Sequence, residues 1–176
     1  MLDIISSEEI YQGRVLNLRV DKVALPDGGS APWEVVVHNG GVAMLPIDEE
    51  EHVYLVRQYR HAVEELLLEI PAGTVEPAEP ADKTAARELR EEIGMQAERL
   101  QLMGKFFLAP GYSSELMHLF LATGLSSAPL PKDADEDIEV VKLPFAELLA
   151  MTGRNEIRDS KTLLAALLYS SQRDQT

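Results

Sequence analysis

The sequence predicts an α/β protein: a mixed β-sheet sandwiched between helices, preceded by a small N-terminal antiparallel β-sheet. Three observations carry this. Residues 1–70 are dominated by β-branched and apolar runs punctuated by turn residues. One clear helical segment, Pro80–Gly94, lies mid-chain. Strand-like segments and helices then mix without a regular βαβ rhythm. The 176 residues suit one domain with a small appendage, and a chain of this length can bury a real core.

The elements follow in order. Gly13–Val23 and Trp33–His38 are rich in β-branched residues and flank the turn Pro26-Asp27-Gly28-Gly29. They make residues 1–40 a small antiparallel sheet, and Asn39-Gly40-Gly41 is a break, a hinge or a bulge. Residues 41–176 form the second part. There Val42–Ile47 and Val53–Tyr59 are strands joined by the acidic turn Asp48-Glu49-Glu50-Glu51, and Leu66–Ile70 is a short apolar run ending at Pro71-Ala72-Gly73. Pro80–Gly94 is the helix, with Pro80 suited to a first turn and Gly94 to a stop. Leu100–Leu108, Leu116–Ala122 and Ile138–Leu143 are strands, Gly124–Asp137 is a loop, and Pro144–Met151 and Ser160–Ser171 are helical.

Charge and composition exclude several classes of function. A formal net charge of −14 repels phosphate backbones, so binding of nucleic acid by charge neutralisation is not expected. The absence of cysteine removes disulfides, zinc–thiolate sites, iron–sulfur clusters and thiol nucleophiles. No apolar run approaches the roughly 20 residues of a membrane span, and the acidic opening MLDIISSEEI is not a secretory signal. The expectation is a cytoplasmic protein that engages neither nucleic acid nor membrane.

On the helix, Ala85, Ala86, Leu89 and Ile93 form the core-facing side, while Glu88, Glu91 and Glu92 share a neighbouring face. Like charges so spaced cost a helix a few tenths of a kcal/mol, and a solvated acidic face is the plain reading. The preceding loop adds Gly73, Glu76 and Glu79. Converging carboxylates without cysteine or clustered histidine form a hard, oxygen-only site, which suits Mg²⁺ or Mn²⁺ completed by substrate phosphates.

Residues 73–95, GTVEPAEPADKTAARELREEIGM, resemble the Nudix box. Its pattern is filled by Gly73, Glu79, Arg87, Glu88, Leu89, Glu91, Glu92, Gly94 and Met95. Seven fixed identities in one window arise by chance on the order of once in 10⁵ sequences of this length, which sets the solvated-face reading aside. The resemblance implies a Nudix fold and hydrolysis of a nucleoside diphosphate linked to another group. It implies that Glu88 and Glu92 are metal ligands, with Glu91 beside them and the Ala72 carbonyl as a further ligand. Arg87 would orient the glutamates, and two or three Mg²⁺ ions, or Mn²⁺ in their place, would be the cofactors.

Flanking residues resemble the ADP-ribose pyrophosphatase branch of that family. They are Pro110, fifteen residues past Met95, the lead-in Glu69-Ile70-Pro71-Ala72-Gly73, and the strand end Val56-Arg57-Gln58-Tyr59-Arg60. The N-terminal β segment is typical of the branch, where it serves dimerisation, so the resemblance implies a homodimer. Arginine presents a planar donor fork suited to phosphate oxygens. Strand parity places Arg57 and Arg60 on opposite faces, so one is expected to face substrate and the other to make a structural ion pair, with Arg60 favoured for the phosphate. Trp33, the only tryptophan, is either an interface or core residue or a platform for adenine. Glu69 and Pro110 complete the expected substrate-binding set.

The implied reaction is attack of water on the pyrophosphate of ADP-ribose, giving AMP and ribose 5-phosphate. The candidate bases are Glu91 and an acid of the Gly124–Asp137 loop, where Glu136 is the choice. The alternatives are hydrolysis of another nucleoside diphosphate sugar such as GDP-mannose, a non-catalytic ADP-ribose-binding module, and an acidic Ca²⁺-binding protein. The last lacks any EF-hand loop pattern.

Overall fold

The computed structural model describes residues 2–131 and 137–173. The chain divides into two compact units: Met1–Gly40 with Phe106–Met117, and Gly41–Lys105 with His118–Thr176.

The first unit is built on three antiparallel strands in the order β1 (Ile4–Gln12), β2 (Asn17–Ala24), β3 (Ser30–Val37). β2 and β3 pair without interruption from Asn17↔Val37 to Ala24↔Ser30, while the β1–β2 ladder is broken by two register shifts. The turn predicted at Pro26–Gly29 connects β2 and β3, with Leu25 and Gly29 bonded across it. β1 was not singled out as a strand by its sequence. Every one of its residues is exposed, so no inside–outside alternation marks it.

The second unit holds the larger core. One sheet orders its strands β10 (Ile138–Pro144), β5 (His52–Arg60), β6 (Glu65–Glu69). The other orders them β7 (Ala72–Thr74), β4 (Gly41–Pro46), β9 (Leu116–Ser127), β8 (Met95–Phe107). Three helices complete the described residues: α1 (Ala81–Glu92), α2 (Phe145–Gly153) and α3 (Ser160–Arg173). β4 is buried along its whole length because α1 and α3 both pack on it, so the α/β class holds with helices against sheet. The core joins Val42 and Met44 of β4, Val56 of β5, Ala85 and Leu89 of α1, and Phe120 of β9. Fully burying an aliphatic side chain of this kind stabilises by roughly 1.5–3 kcal/mol.

Two elements differ from the expectation. Pro80 does not enter the first turn of α1. It is the N-cap, extended at ψ 140°, and its carbonyl accepts from the Lys83 and Thr84 amides. β9 runs on to Ser127, so the first part of the expected Gly124–Asp137 loop is strand, tied to β8 by the Gln96–Ser126 side-chain bond. At the other end of α1, Gly94 adopts φ +69°, the left-handed conformation that stops a helix at little cost to glycine.

Candidate active site

α1 carries the acidic group. Ala85 and Leu89 are fully buried, which fixes the rotation of the helix and carries Glu88, Glu91 and Glu92 onto the flank facing the Ala72–Gly73 segment. Glu92 is itself only 2% exposed, and its Oε2 accepts the Ala72 amide at 3.0 Å. Glu88 lies against Gly73. A Cβ built there would fall 2.1 Å from the Glu88 carboxyl, so only glycine leaves that carboxylate where it is.

Arg87 organises the rest. Its Nη1 donates to Glu88 Oε1 at 2.9 Å and to Glu91 Oε2 at 2.8 Å, and its Nη2 to Glu79 Oε2 at 3.3 Å. The Thr84 hydroxyl also donates to Glu79, at 2.8 Å. That bond, helped by Arg87, holds the Glu79 carboxyl below its ordinary range. Burial works against the Arg87 charge, but the Glu79 bond and the charges of Glu88 and Glu91 raise its pKa further.

Three carboxylates thus share the Arg87 guanidinium, and the buried carboxylate of Glu92 lies on the same flank of α1. Added cations would relieve this crowding of partly desolvated negative charge. The donors are all oxygens, as Mg²⁺ and Mn²⁺ prefer. The residues present therefore fit a divalent cation.

The structure also gathers a group that the sequence did not single out. Asp48, Glu50 and His52 bring ligand-type atoms within 4.8 Å of one another. Asp48 already has other partners. Its Oδ1 accepts the Glu50 and His52 amides at 3.1 and 2.8 Å, and its Oδ2 meets Lys142 Nζ at 2.7 Å. This is the acidic turn between β4 and β5 locked by a lysine of β10, and the lysine stands where a cation would.

The two arginines of β5 are both paired. Arg57 meets Glu139 at 2.9 Å on the surface, a kind of contact worth little. Arg60 forks onto Glu69, Nε to Oε1 at 2.7 Å and Nη2 to Oε2 at 2.8 Å, and Glu69 is 1% exposed. Glu69, expected to touch substrate, is thus the partner of Arg60 and also of Lys161, whose Nζ lies 3.1 Å from Oε2. Glu92 adds its charge to those that raise the Arg60 pKa, after the Glu69 bond, which is the main cause. Lys161 and Asp159 were missed in the sequence because they lie about ninety positions from Glu69.

Ala72, Arg87, Glu88, Glu91 and Glu92 are therefore brought together, and Arg60 and Glu69 form a pair. Arg57 is tied to β10 instead. Trp33 and Pro110 belong to the first unit, where Trp33 sits in β3 opposite Asp21 and is half exposed. Glu136 lies outside the described residues.

Residues 37–164 match the family model described as NUDIX domain, and residues 3–36 that described as Nucleoside diphosphate sugar hydrolase N-terminal domain. The chain is 39% identical over 163 residues to the "Methanol dehydrogenase activator" of Bacillus methanolicus, covering 92% of this chain and 88% of that protein. It is 37% identical over 163 residues to an "ADP-ribose pyrophosphatase" of Bacillus subtilis (strain 168), with coverage of 92% and 88%. The "ADP-ribose pyrophosphatase" of Mycobacterium tuberculosis is 39% identical over 168 residues, with coverage of 94% and 81%. A solved "ADP compounds hydrolase" superposes with a TM-score of 0.89 over 99% of this chain and 95% of that one, and its 24% identity makes it a likeness of fold.

Proposed function

The chain belongs to the Nudix family, and on that premise we propose that it hydrolyses the pyrophosphate bond of ADP-ribose to AMP and ribose 5-phosphate. The observation that carries the reading is the carboxylate set of α1 gathered about Arg87 beside the Ala72–Gly73 segment. The names of the relatives matched over most of the chain favour ADP-ribose among nucleoside diphosphate sugars.

Glu88, Glu91, Glu92 and the Ala72 carbonyl would hold the cations, two or three Mg²⁺ or Mn²⁺ ions. When bound, divalent cations neutralise the pyrophosphate oxygens and acidify the attacking water. The chain's own residues do the positioning. Arg87 holds Glu88 and Glu91 at fixed spacing. The Ala72 amide orients Glu92. Water oxygen bonds to one phosphorus, the bridging P–O bond breaks, and each product leaves with a phosphate. The proton released goes to a carboxylate base, Glu91 or Glu136. Arg60 offers the guanidinium suited to a phosphate oxygen, held in orientation by Glu69. Trp33 is the candidate for stacking on adenine.

The working unit in this proposal is a cytoplasmic homodimer in which residues 1–40 serve association and residues 41–176 the chemistry. Its support is the exposed apolar set of the first unit, including Ile4, Ile5, Ile10, Tyr11 and Trp33. Among the described residues no helix is long and apolar enough to cross a membrane.

The test is a product assay on ADP-ribose and GDP-mannose with Mg²⁺, with and without chelator. AMP from ADP-ribose, lost on chelation and without comparable GMP, is the expected result. Binding of ADP-ribose without turnover at any cation concentration would make the protein a binding module instead. Static light scattering should give twice the 19.5 kDa chain mass, and Ile5→Glu should move it toward the monomer.

A further inference from the structure

Glu69 is 1% exposed and Asp159 8%, and one ammonium joins them. Lys161 Nζ donates to Asp159 Oδ1 at 2.5 Å and to Glu69 Oε2 at 3.1 Å. Asp159 stands just before α3 and caps it, its Oδ2 accepting the Thr162 amide at 2.9 Å and the Thr162 hydroxyl at 2.6 Å. The oxygen of that hydroxyl, wholly buried, accepts the Ile70 amide at 2.8 Å.

Two consecutive residues of α3 therefore grip the last residue of β6 and the one after it. Lys161 takes the side chain of Glu69, and Thr162 takes the backbone of Ile70. From there the chain runs into the site. The Pro71 carbonyl accepts the Met44 amide at 2.9 Å, the Ala72 amide donates to Glu92, and Gly73 lies against Glu88. Capping α3 needs the aspartate and its amide donor, but it does not need a lysine. An ammonium only 12% exposed costs desolvation free energy here, which its bonds to Glu69 and Asp159 must offset. Its place between them makes sense if the position of Glu69 matters.

We propose that Lys161 and Thr162 are positioning residues for the cation site, fixing the Glu69–Ala72 segment that sets the Glu92 carboxylate. The inference rests on reading Glu88, Glu91 and Glu92 as the cation-holding set. Outer residues that orient metal ligands act on metal affinity, which separates this role from a general contribution to folding.

The experiment uses the full chain and two readouts: Mn²⁺ binding without substrate, followed by loss of the free-ion EPR signal, and Mg²⁺-dependent ADP-ribose hydrolysis. Lys161→Met keeps side-chain length without the charge, and Thr162→Val keeps shape without the hydroxyl. Each should weaken Mn²⁺ binding by about 10-fold or more. The KM for ADP-ribose at saturating cation should stay within about 3-fold. Thr162→Ser, which keeps the hydroxyl, should bind Mn²⁺ as the wild type does. Lower melting temperatures with unchanged Mn²⁺ affinity would overturn the proposal, as would a Thr162→Ser variant as weak as Thr162→Val. Should Lys161→Met not fold, the Thr162 pair decides. A wild type that binds Mn²⁺ but leaves ADP-ribose intact would sink the substrate reading alone, and the Mn²⁺ comparison would still decide this one.

Discussion

Arg87 bonds three carboxylates from one planar group, which a lysine has no geometry to copy. Arg87→Lys should lower kcat/KM by about 10–100-fold, with an unchanged circular dichroism spectrum. Glu92→Gln keeps the shape of a buried side chain and removes its charge, so a loss of about 100-fold or more is expected with the fold intact. Near-wild-type turnover with Mg²⁺ would remove Glu92 from the ligand set. Asp48 makes a different prediction. Burial works against its charge, but the Lys142 and His52 bonds pull its carboxyl down to about 2, against an ordinary value of about 3.9. A depressed carboxyl stabilises the fold fully above its unfolded value and loses that contribution as pH falls through its folded value. The melting-temperature gap between wild type and Asp48→Asn should therefore close between about pH 4 and pH 2. A gap that stays constant over that window would assign the loss to something other than this charge. The residues of α1 were readable because their chemistry depends on local spacing. The Asp48–Lys142 pair was not, because its partners meet only through the pairing of β5 with β10.

Among the elements, α1 is specified locally. Its alanines, leucine and charged residues favour helix, and its two ends are marked by Pro80 and Gly94. β1 and the tail of β9 are specified by their neighbours instead. β1 places Ile4 and Ile5 side by side, and likewise Ile10 and Tyr11, so apolar residues fall on both faces and the period of two is lost. The β9 tail, with Gly124 and serines, has weak strand propensity, and its pairing with β8 overrides that. The three-residue β7 carries Gly73, and its closeness to α1 gives an element-level test. Gly73→Ala should push the Glu88 carboxylate away, lowering Mg²⁺-dependent activity by about 10-fold while leaving the melting temperature nearly unchanged. A large melting shift without loss of activity would mean that β7 serves packing rather than the site.

At the scale of the molecule, the net charge of −14 and the crowded carboxylates would make bound cations part of the stability. A cation present at 100 times its dissociation constant adds about 2.7 kcal/mol to a fold that alone binds it. Mg²⁺ should thus raise the melting temperature by several degrees, chelator should reverse the rise, and Glu92→Gln should shrink it. An equal shift in the variant would point to non-specific screening. The site also unites distant parts of the sequence, since the Ile70 amide donates to Thr162 of α3. During synthesis on the ribosome the box and its helix are made long before that hydroxyl emerges. A nascent chain ending short of α3 would carry every glutamate and still lack the anchor that sets them, so the competence to hold metal should arrive late and abruptly rather than grow with the chain.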